Sequence, residues 1–252
     1  MYATVTDARG EPVVGLTRDE FQIQEDGERQ DIRTFSAGEF PLALAVAIDR
    51  SFSMSRVGLA GVASAVRGFL TALRLEDEVM VLAIGSQIEV LAPLARERAP
   101  AFAALDHLEP WGTTPLYDAT WSAVAAIDPA SGRRALILLS DGTDRYSETT
   151  AVQLLERVRA KDVLIYPISL GRSRPPIFAE LATVTGGRSF QVGAVAALPS
   201  TLSTIAKELR FQYLLGYVPT TAASERRGWR SIHVTVNRPN VRVRARDGYV
   251  LP

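Results

Sequence analysis

Three continuous apolar runs constrain what this chain can fold into: residues 42–48 (Leu-Ala-Leu-Ala-Val-Ala-Ile), 135–139 (Ala-Leu-Ile-Leu-Leu) and 163–168 (Val-Leu-Ile-Tyr-Pro-Ile). None alternates polar with apolar, and none is long enough to cross a bilayer. Each therefore reads as a strand buried on both faces, the mark of a parallel sheet covered by helices. The intervening segments repeat apolar residues at helical spacing. In residues 57–73 these are Val57, Ala60, Val62, Ala65, Val66, Phe69, Leu70 and Leu73. Further helices are expected at 99–108, 116–127, 150–159 and 177–184, the third of these with Val152, Leu155 and Val158 on its apolar face. Residues 79–84 and 88–94 flank a Gly85-Ser86-Gln87 turn and are compatible with a hairpin. Strand alternating with helix predicts an α/β fold with a doubly wound, mostly parallel sheet.

The two ends read differently. Residues 2–6, 21–25 and 30–35 are short β segments, the last two flanking Asp26-Gly27, a strong hairpin signal. Residues 212–217, 231–236 and 241–245 are also strands, with a polar loop at 220–228. Neither end can hold a core alone. The economical arrangement is one small β module made from both chain ends: residues 1–38 and 209–252, with the α/β domain at 39–208 inserted between them. A helix over 198–208 leads out of the insert.

Composition excludes several classes of function. Lys plus Arg and Asp plus Glu both number 28, so no basic nucleic-acid surface is expected. Arg226, Arg227, Arg230, Arg238, Arg242, Arg244 and Arg246 cluster near the end and read as solvated strand faces. There is no Cys, which removes disulfides and thiolate sites, and only His107 and His233 could supply imidazole. The N-terminus reads as a strand rather than a leader peptide.

The chemistry-bearing residues fall in three segments: Asp49-Arg50-Ser51-Phe52-Ser53, Gly112-Thr113-Thr114-Pro115 and Ser140-Asp141-Gly142-Thr143-Asp144. The first and third follow buried strands, and the second precedes a helix. Loops at the carboxyl ends of parallel strands converge where strand order reverses. Their side chains offer carboxylate and hydroxyl oxygen, which suits a hard divalent cation with water completing the shell. The Asp-x-Ser-x-Ser spacing lets alternate side chains turn toward one point, and Gly112 and Gly142 allow tight turns beside it. No Gly-rich dinucleotide fingerprint follows residues 42–48. A phosphoryl-transfer centre would need a second carboxylate where Ser51 stands, and a Lys or Arg near the phosphate; no Lys stands at the crest.

These segments resemble the metal-ion-dependent adhesion site of von Willebrand factor type A domains. The resemblance implies a non-enzymatic, protein-binding module whose metal ligands are Asp49, Ser51, Ser53, Thr114 and Asp141. Thr113 is a neighbouring alternative to Thr114, but Thr-Pro-Leu-Tyr-Asp-Ala continues the family pattern from Thr114. The implied ion is Mg²⁺, with Mn²⁺ or Ca²⁺ also accepting such ligands. The resemblance further implies that an unknown partner protein supplies a Glu or Asp carboxylate to complete the coordination. Arg50, Phe52, Trp111 and Asp144 are the expected contact residues, although Phe52 is equally compatible with a core role and Trp111 with packing on its own domain. Asp118, Asp144 and Ser147 could instead cap helices or hold loops. A structural module whose metal only ties loops together is the alternative.

Residues 13–21 (Val-Val-Gly-Leu-Thr-Arg-Asp-Glu-Phe), residues 25–30, residues 212–217 and Arg246-Asp-Gly-Tyr249 resemble the opening and closing segments of bacterial von Willebrand factor A-related proteins. That likeness implies export to the periplasm, cell surface or medium.

Overall fold

The computed structural model describes residues 1–171, 174–219 and 227–251. Most of the expected loop at 220–228, with Arg226, lies outside them, as does the side chain of Val57. In chain order the N-terminal strands are β1 (Tyr2–Asp7), β2 (Phe21–Glu25), β3 (Glu28–Gln30) and β4 (Ile32–Gly38). The central elements are β5 (Leu42–Asp49), α1 (Arg56–Ala72), β6 (Glu78–Ile84), β7 (Ile88–Ala95), α2 (Ala99–Asp106), α3 (Leu116–Ile127), β8 (Arg133–Ser140), α4 (Ala151–Arg159), β9 (Val163–Leu170), α5 (Pro176–Thr185), β10 (Phe190–Val192) and α6 (Leu198–Arg210). The chain closes with β11 (Gln212–Tyr217), β12 (Gly228–Val236), β13 (Val241–Arg244) and β14 (Gly248–Leu251).

The central sheet has six strands in the order β10-β9-β8-β5-β6-β7. Only β7 runs antiparallel, as the hairpin partner of β6. The apolar runs fill its middle. Along β5, Leu42, Leu44, Val46 and Ile48 face one helical layer that includes α1 and α6. Ala43, Ala45 and Ala47 face the other layer, where α3 packs with its own Ala119 and Ala123. Small residues on that side let helix and sheet approach closely. β5 leads through α1 to β6 on one side, and β8 later returns to its other side. Strand order therefore reverses at β5/β8, which places the ends of these two strands at a natural crevice.

Two four-stranded sheets, β13-β1-β11-β4 and β14-β12-β2-β3, join strands from both ends of the chain. They enclose a separate core containing Val5, Phe21, Ile23, Tyr213 and Leu215. Asp26 (φ 49°) and Gly27 (φ 84°) form the β2–β3 hairpin turn. Residues 30–35, expected as one strand, divide instead. Gln30 stays with β2, whereas β4 begins at Ile32 and pairs with β11 in the other sheet. The period-two pattern breaks here: Ile32 and Phe35 are both half-buried although three apart, and the β4–β11 pairing carries a register shift between them.

Two other expectations are corrected. On α4 the buried residues are Leu154 and Val158, whereas Val152 is exposed, because the helix begins one residue after its Thr150 cap and turns that side chain outward. The C-terminal arginines are more than solvated strand faces. Arg230 is buried and pairs with Glu25 at 2.9 Å and Asp26 at 2.8 Å. Arg244 reaches Glu208 of α6 at 2.6 Å, and Arg188, ahead of β10, reaches the same carboxylate at 2.8 Å. Glu208 is fully buried, so this shared ion pair fastens the terminal strands to the central domain. Arg159 and Asp247 add a second fastening at 2.9 Å.

Removing a buried charge partner strands the remaining charges away from water. Glu208→Ala is expected to cost about 3 kcal/mol, near the low end for buried pairs because Arg188 retains some solvent access. Urea unfolding of the variant and wild type, compared through the midpoint at equal slope, checks this.

Candidate functional site

The crest of the sheet is built around Asp49, the last residue of β5 and fully buried. Its Oδ1 accepts the backbone N–H of Ser51 at 2.9 Å, and Thr114 Oγ1 lies 3.5 Å from the same oxygen. Its Oδ2 accepts from Ser140 Oγ at 2.6 Å. Ser140 ends β8, the strand beside β5, and its hydroxyl also accepts the N–H of Gly142 at 3.0 Å. It is the site residue that sequence reasoning missed. Its one available signal was its place immediately before Asp141 at the end of a buried strand.

Ser51 and Ser53 hydroxyls are 3.0 Å apart. With Phe52, Thr114, Asp141 and Arg145 they line an open cavity of about 340 Å³. Asp141 Oδ1 accepts the N–H of Thr143 at 2.9 Å, and its charge acts on Asp49. The loops thus bring all five candidate ligands together. Among the described residues, no three His, Cys, Asp or Glu side chains gather into a metal-sized cluster. Of the five candidate ligands, Asp49 and Asp141 are carboxylates and Ser51, Ser53 and Thr114 are hydroxyls.

Backbone hydrogen bonds already fasten the loops. Phe52 N donates to Gly112 O at 3.1 Å, Trp111 N to Arg50 O at 2.6 Å, and Arg145 N to Thr114 O at 2.7 Å. Gly112 (φ 77°) and Gly142 (φ 83°) adopt the left-handed region. A Cβ would strike the Ser86 backbone at Gly112, and the Pro175 ring at Gly142.

The expected contact residues have different surroundings. Phe52 is 73% exposed and lines the cavity, so it is not core. Trp111 is half-exposed, with one side of its ring against Gly85 and the Arg50 guanidinium 5.3 Å from its centroid. Arg50 is also paired with Glu89 at 2.6 Å. Asp144 accepts from Ser147 Oγ at 2.6 Å and from the N–H of Tyr117 at 3.2 Å. Ser147 accepts that N–H at 3.1 Å too, so the pair caps α3. Thr150 caps α4. Asp118 holds the intervening loop by accepting the N–H groups of Glu148 at 2.7 Å and Thr149 at 3.0 Å. Burial pushes the Asp118 carboxyl up, but these hydrogen bonds prevail and hold it below the ordinary carboxylate range.

Burial raises the pKa of Asp49, hydrogen bonds from Ser140 and Ser51 oppose the rise, and the nearby Asp141 charge adds to it. A buried carboxylate with two hydroxyl neighbours and a second carboxylate fits a hard cation, which would favour its charged form.

Residues 44–143 match the family model described as von Willebrand factor type A domain. Among solved structures, the chain is similar to a von Willebrand factor type A protein from Catenulispora acidiphila. The identity is 17% and the TM-score 0.60, over 78% of this chain and 52% of that one. It is similar to the conserved hypothetical protein BatB from Bacteroides thetaiotaomicron, with 18% identity and a TM-score of 0.55, over 67% of this chain and 98% of that one. It is also similar to proximal thread matrix protein 1 from the mussel byssus, a structure described with a zinc-occupied MIDAS motif. There the identity is 15% and the TM-score 0.63, over 74% of this chain and 50% of that one. This chain therefore spans about half of the Catenulispora and mussel proteins. No curated protein sequence matches it.

The chain contains a von Willebrand factor type A domain. No helix among the described residues is long and apolar enough to cross a membrane.

The Asp49 environment has a pH consequence without added metal. A carboxyl whose pKa is raised on folding adds stability below its unfolded pKa and loses that contribution as pH rises through the folded value. Asp49→Asn keeps the shape and is expected to raise the unfolding midpoint at neutral pH in chelator, while flattening the decline between acid and neutral pH. Denaturant titrations at several pH values measure both effects.

Proposed function

We propose that the crest is a divalent-cation site through which the protein binds a partner protein. The observation that carries this reading is the meeting of three loops: Ser51, Ser53, Thr114 and Asp141 line one open cavity, and buried Asp49 lies beside them, accepting the Ser51 N–H and 3.5 Å from Thr114 Oγ1. Ser51, Ser53 and Thr114 offer hydroxyl oxygens, while Asp49 and Asp141 supply charge directly or through water. Mg²⁺ suits this set, and Mn²⁺ or Ca²⁺ is chemically compatible. A bound ion would supply a Lewis-acidic point for an incoming carboxylate, so an exposed Glu or Asp of the partner completes the coordination.

Phe52 and Trp111 flank that point and provide apolar contact. Arg50 acts through Trp111, whose ring it supports, and Asp144 acts by fixing the start of α3. Because the loops are already joined by backbone hydrogen bonds, a cation is not needed merely to hold them. That favours partner binding over a purely structural metal. We further propose an exported location. Its support is the resemblance of both chain ends to bacterial von Willebrand factor A-related proteins and the likeness in fold to an aerotolerance-related membrane protein from Bacteroides fragilis.

Calorimetric titration with Mg²⁺ and Mn²⁺ tests the ion site. Wild type should bind and Asp49→Ala should not; equal binding by both would remove the assignment. Capture of a specific partner from the exported fraction should then be lost in chelator. A phosphatase activity abolished by Asp49→Asn would instead indicate phosphoryl transfer.

A further inference from the structure

A second cleft lies away from the crest, where the terminal strands meet the central domain. It has a volume of about 620 Å³ and is open to solvent. Its walls come from α5 and β10 on one side and from β12, β13 and the segment after β13 on the other. Two unfinished sheet edges front it. Among the described residues, β10 is the last strand of the six-stranded sheet and pairs only with β9, and β13 is the last strand of its own sheet and pairs only with β1. Such edges present main-chain groups to an extended chain, and side-chain pockets beside them select its residues.

The cleft is rich in guanidinium groups: Arg174, Arg188, Arg244 and Arg246 line it, and Asp247 is the one carboxylate among its described lining residues. Arg246 is already engaged, 3.6 Å from Asp162 and donating to the carbonyls of Gly248 and Arg159, so the charge left for a ligand comes from the other three. Asp247 is already paired with Arg159. Arg188 and Arg244 share the single carboxylate of Glu208, leaving that trio with one excess positive charge. Arg244 Nε is buried and has no acceptor among the described residues. Arg174 makes no ion pair among them. Apolar surface lies between these charges. Phe190 carries the Arg188 guanidinium 4.8 Å above its ring, and Val234 and Val243 contribute the opposite wall.

We infer that this cleft binds an extended segment of a partner protein in which acidic residues alternate with apolar ones. Carboxylates would pair with the guanidinium groups, the main chain would lie along an open strand edge, and the intervening apolar side chains would meet Phe190, Val234 and Val243. A volume of this size belongs to a multi-group ligand rather than a lone anion. The inference is independent of the cation site, so each can fail without the other.

The test uses the full chain and fluorescently labelled hexapeptides alternating Glu or Asp with Val, read by polarisation. A matched peptide with Lys at the acidic positions is the control. The acidic peptide should bind saturably and at least tenfold more tightly than the Lys peptide, and binding should weaken as salt rises. Arg174→Glu and His233→Glu are exposed substitutions outside the Glu208 clamp. Each should weaken binding several-fold without altering the unfolding midpoint. Chelator and Asp49→Ala should leave binding unchanged, which separates this cleft from the crest. The inference is overturned if no acidic peptide binds, if the Lys peptide binds equally, or if both cleft variants bind like wild type. Displacement by inorganic phosphate with no dependence on peptide length would also overturn it, as would tighter binding of a single-stranded oligonucleotide.

Discussion

The burial of one carboxylate organises the crest. Asp49 stands at the end of a strand whose seven preceding residues are all buried, and it cannot retreat to solvent. A carboxylate there is tolerated only because donors come to it: Ser51 N–H from its own loop and Ser140 Oγ from the adjacent strand. Those donors soften the burial cost but do not cancel it, since the carboxyl remains above its ordinary pKa. The fold thus maintains a group that is uncomfortable as an anion and would be eased by a cation. Local instability kept at a converging set of loops is the pattern expected of a functional site.

Strand order makes the convergence possible. Because β5 has β6 on one side and β8 on the other, the loops after β5 and β8 leave the sheet next to each other. The Gly112 loop is then drawn in by main-chain bonds to the Asp49 loop. The terminal strands take no part in that arrangement. They attach at the flank through Glu208, which receives one arginine from the segment before β10 and another from β13. The charged fastening supplements apolar contact at this junction: the two cores are separate clusters, but Tyr2 of β1 packs against the central one. Its cost is geometric: two sheet edges end beside the fastening without covering each other, and the cleft between them follows.

How much of this was legible in the sequence depends on how local each signal is. The apolar runs at 42–48, 135–139 and 163–168 announce themselves because burial on both faces removes periodicity. The Asp-x-Ser-x-Ser segment is recognisable because its oxygens are close in sequence. Ser140 was not, since a single Ser at a strand end has no spacing to distinguish it. The switch between β3 and β4 was hidden because a single residue, Asp31, separates the two strands and leaves no loop to mark it. The arginines of β12 and β13 looked solvated because an alternating Arg reads alike whether water or a distant Glu lies opposite. Arg244 and Glu208 are 36 positions apart, and nothing local links them.

Phe52 and Trp111 show the same division between what is local and what is not. Both sit beside oxygen-bearing residues in sequence, yet their surroundings differ. Phe52 projects from the Asp49 loop at the rim of the cavity and is mostly exposed, whereas Trp111 has Gly85 against its ring and a guanidinium near its centroid. An exposed, weakly supported aromatic can adapt to a partner, but it loses side-chain freedom on binding. A half-supported ring has already given up much of that freedom within the domain. Arg50 can supply that support because Glu89 fixes its position. The Arg50–Glu89 pair, from the loop after β5 and from β7, therefore stiffens one side of the crest while Phe52 leaves the other adaptable, and this asymmetry is built without any residue of the cation site itself.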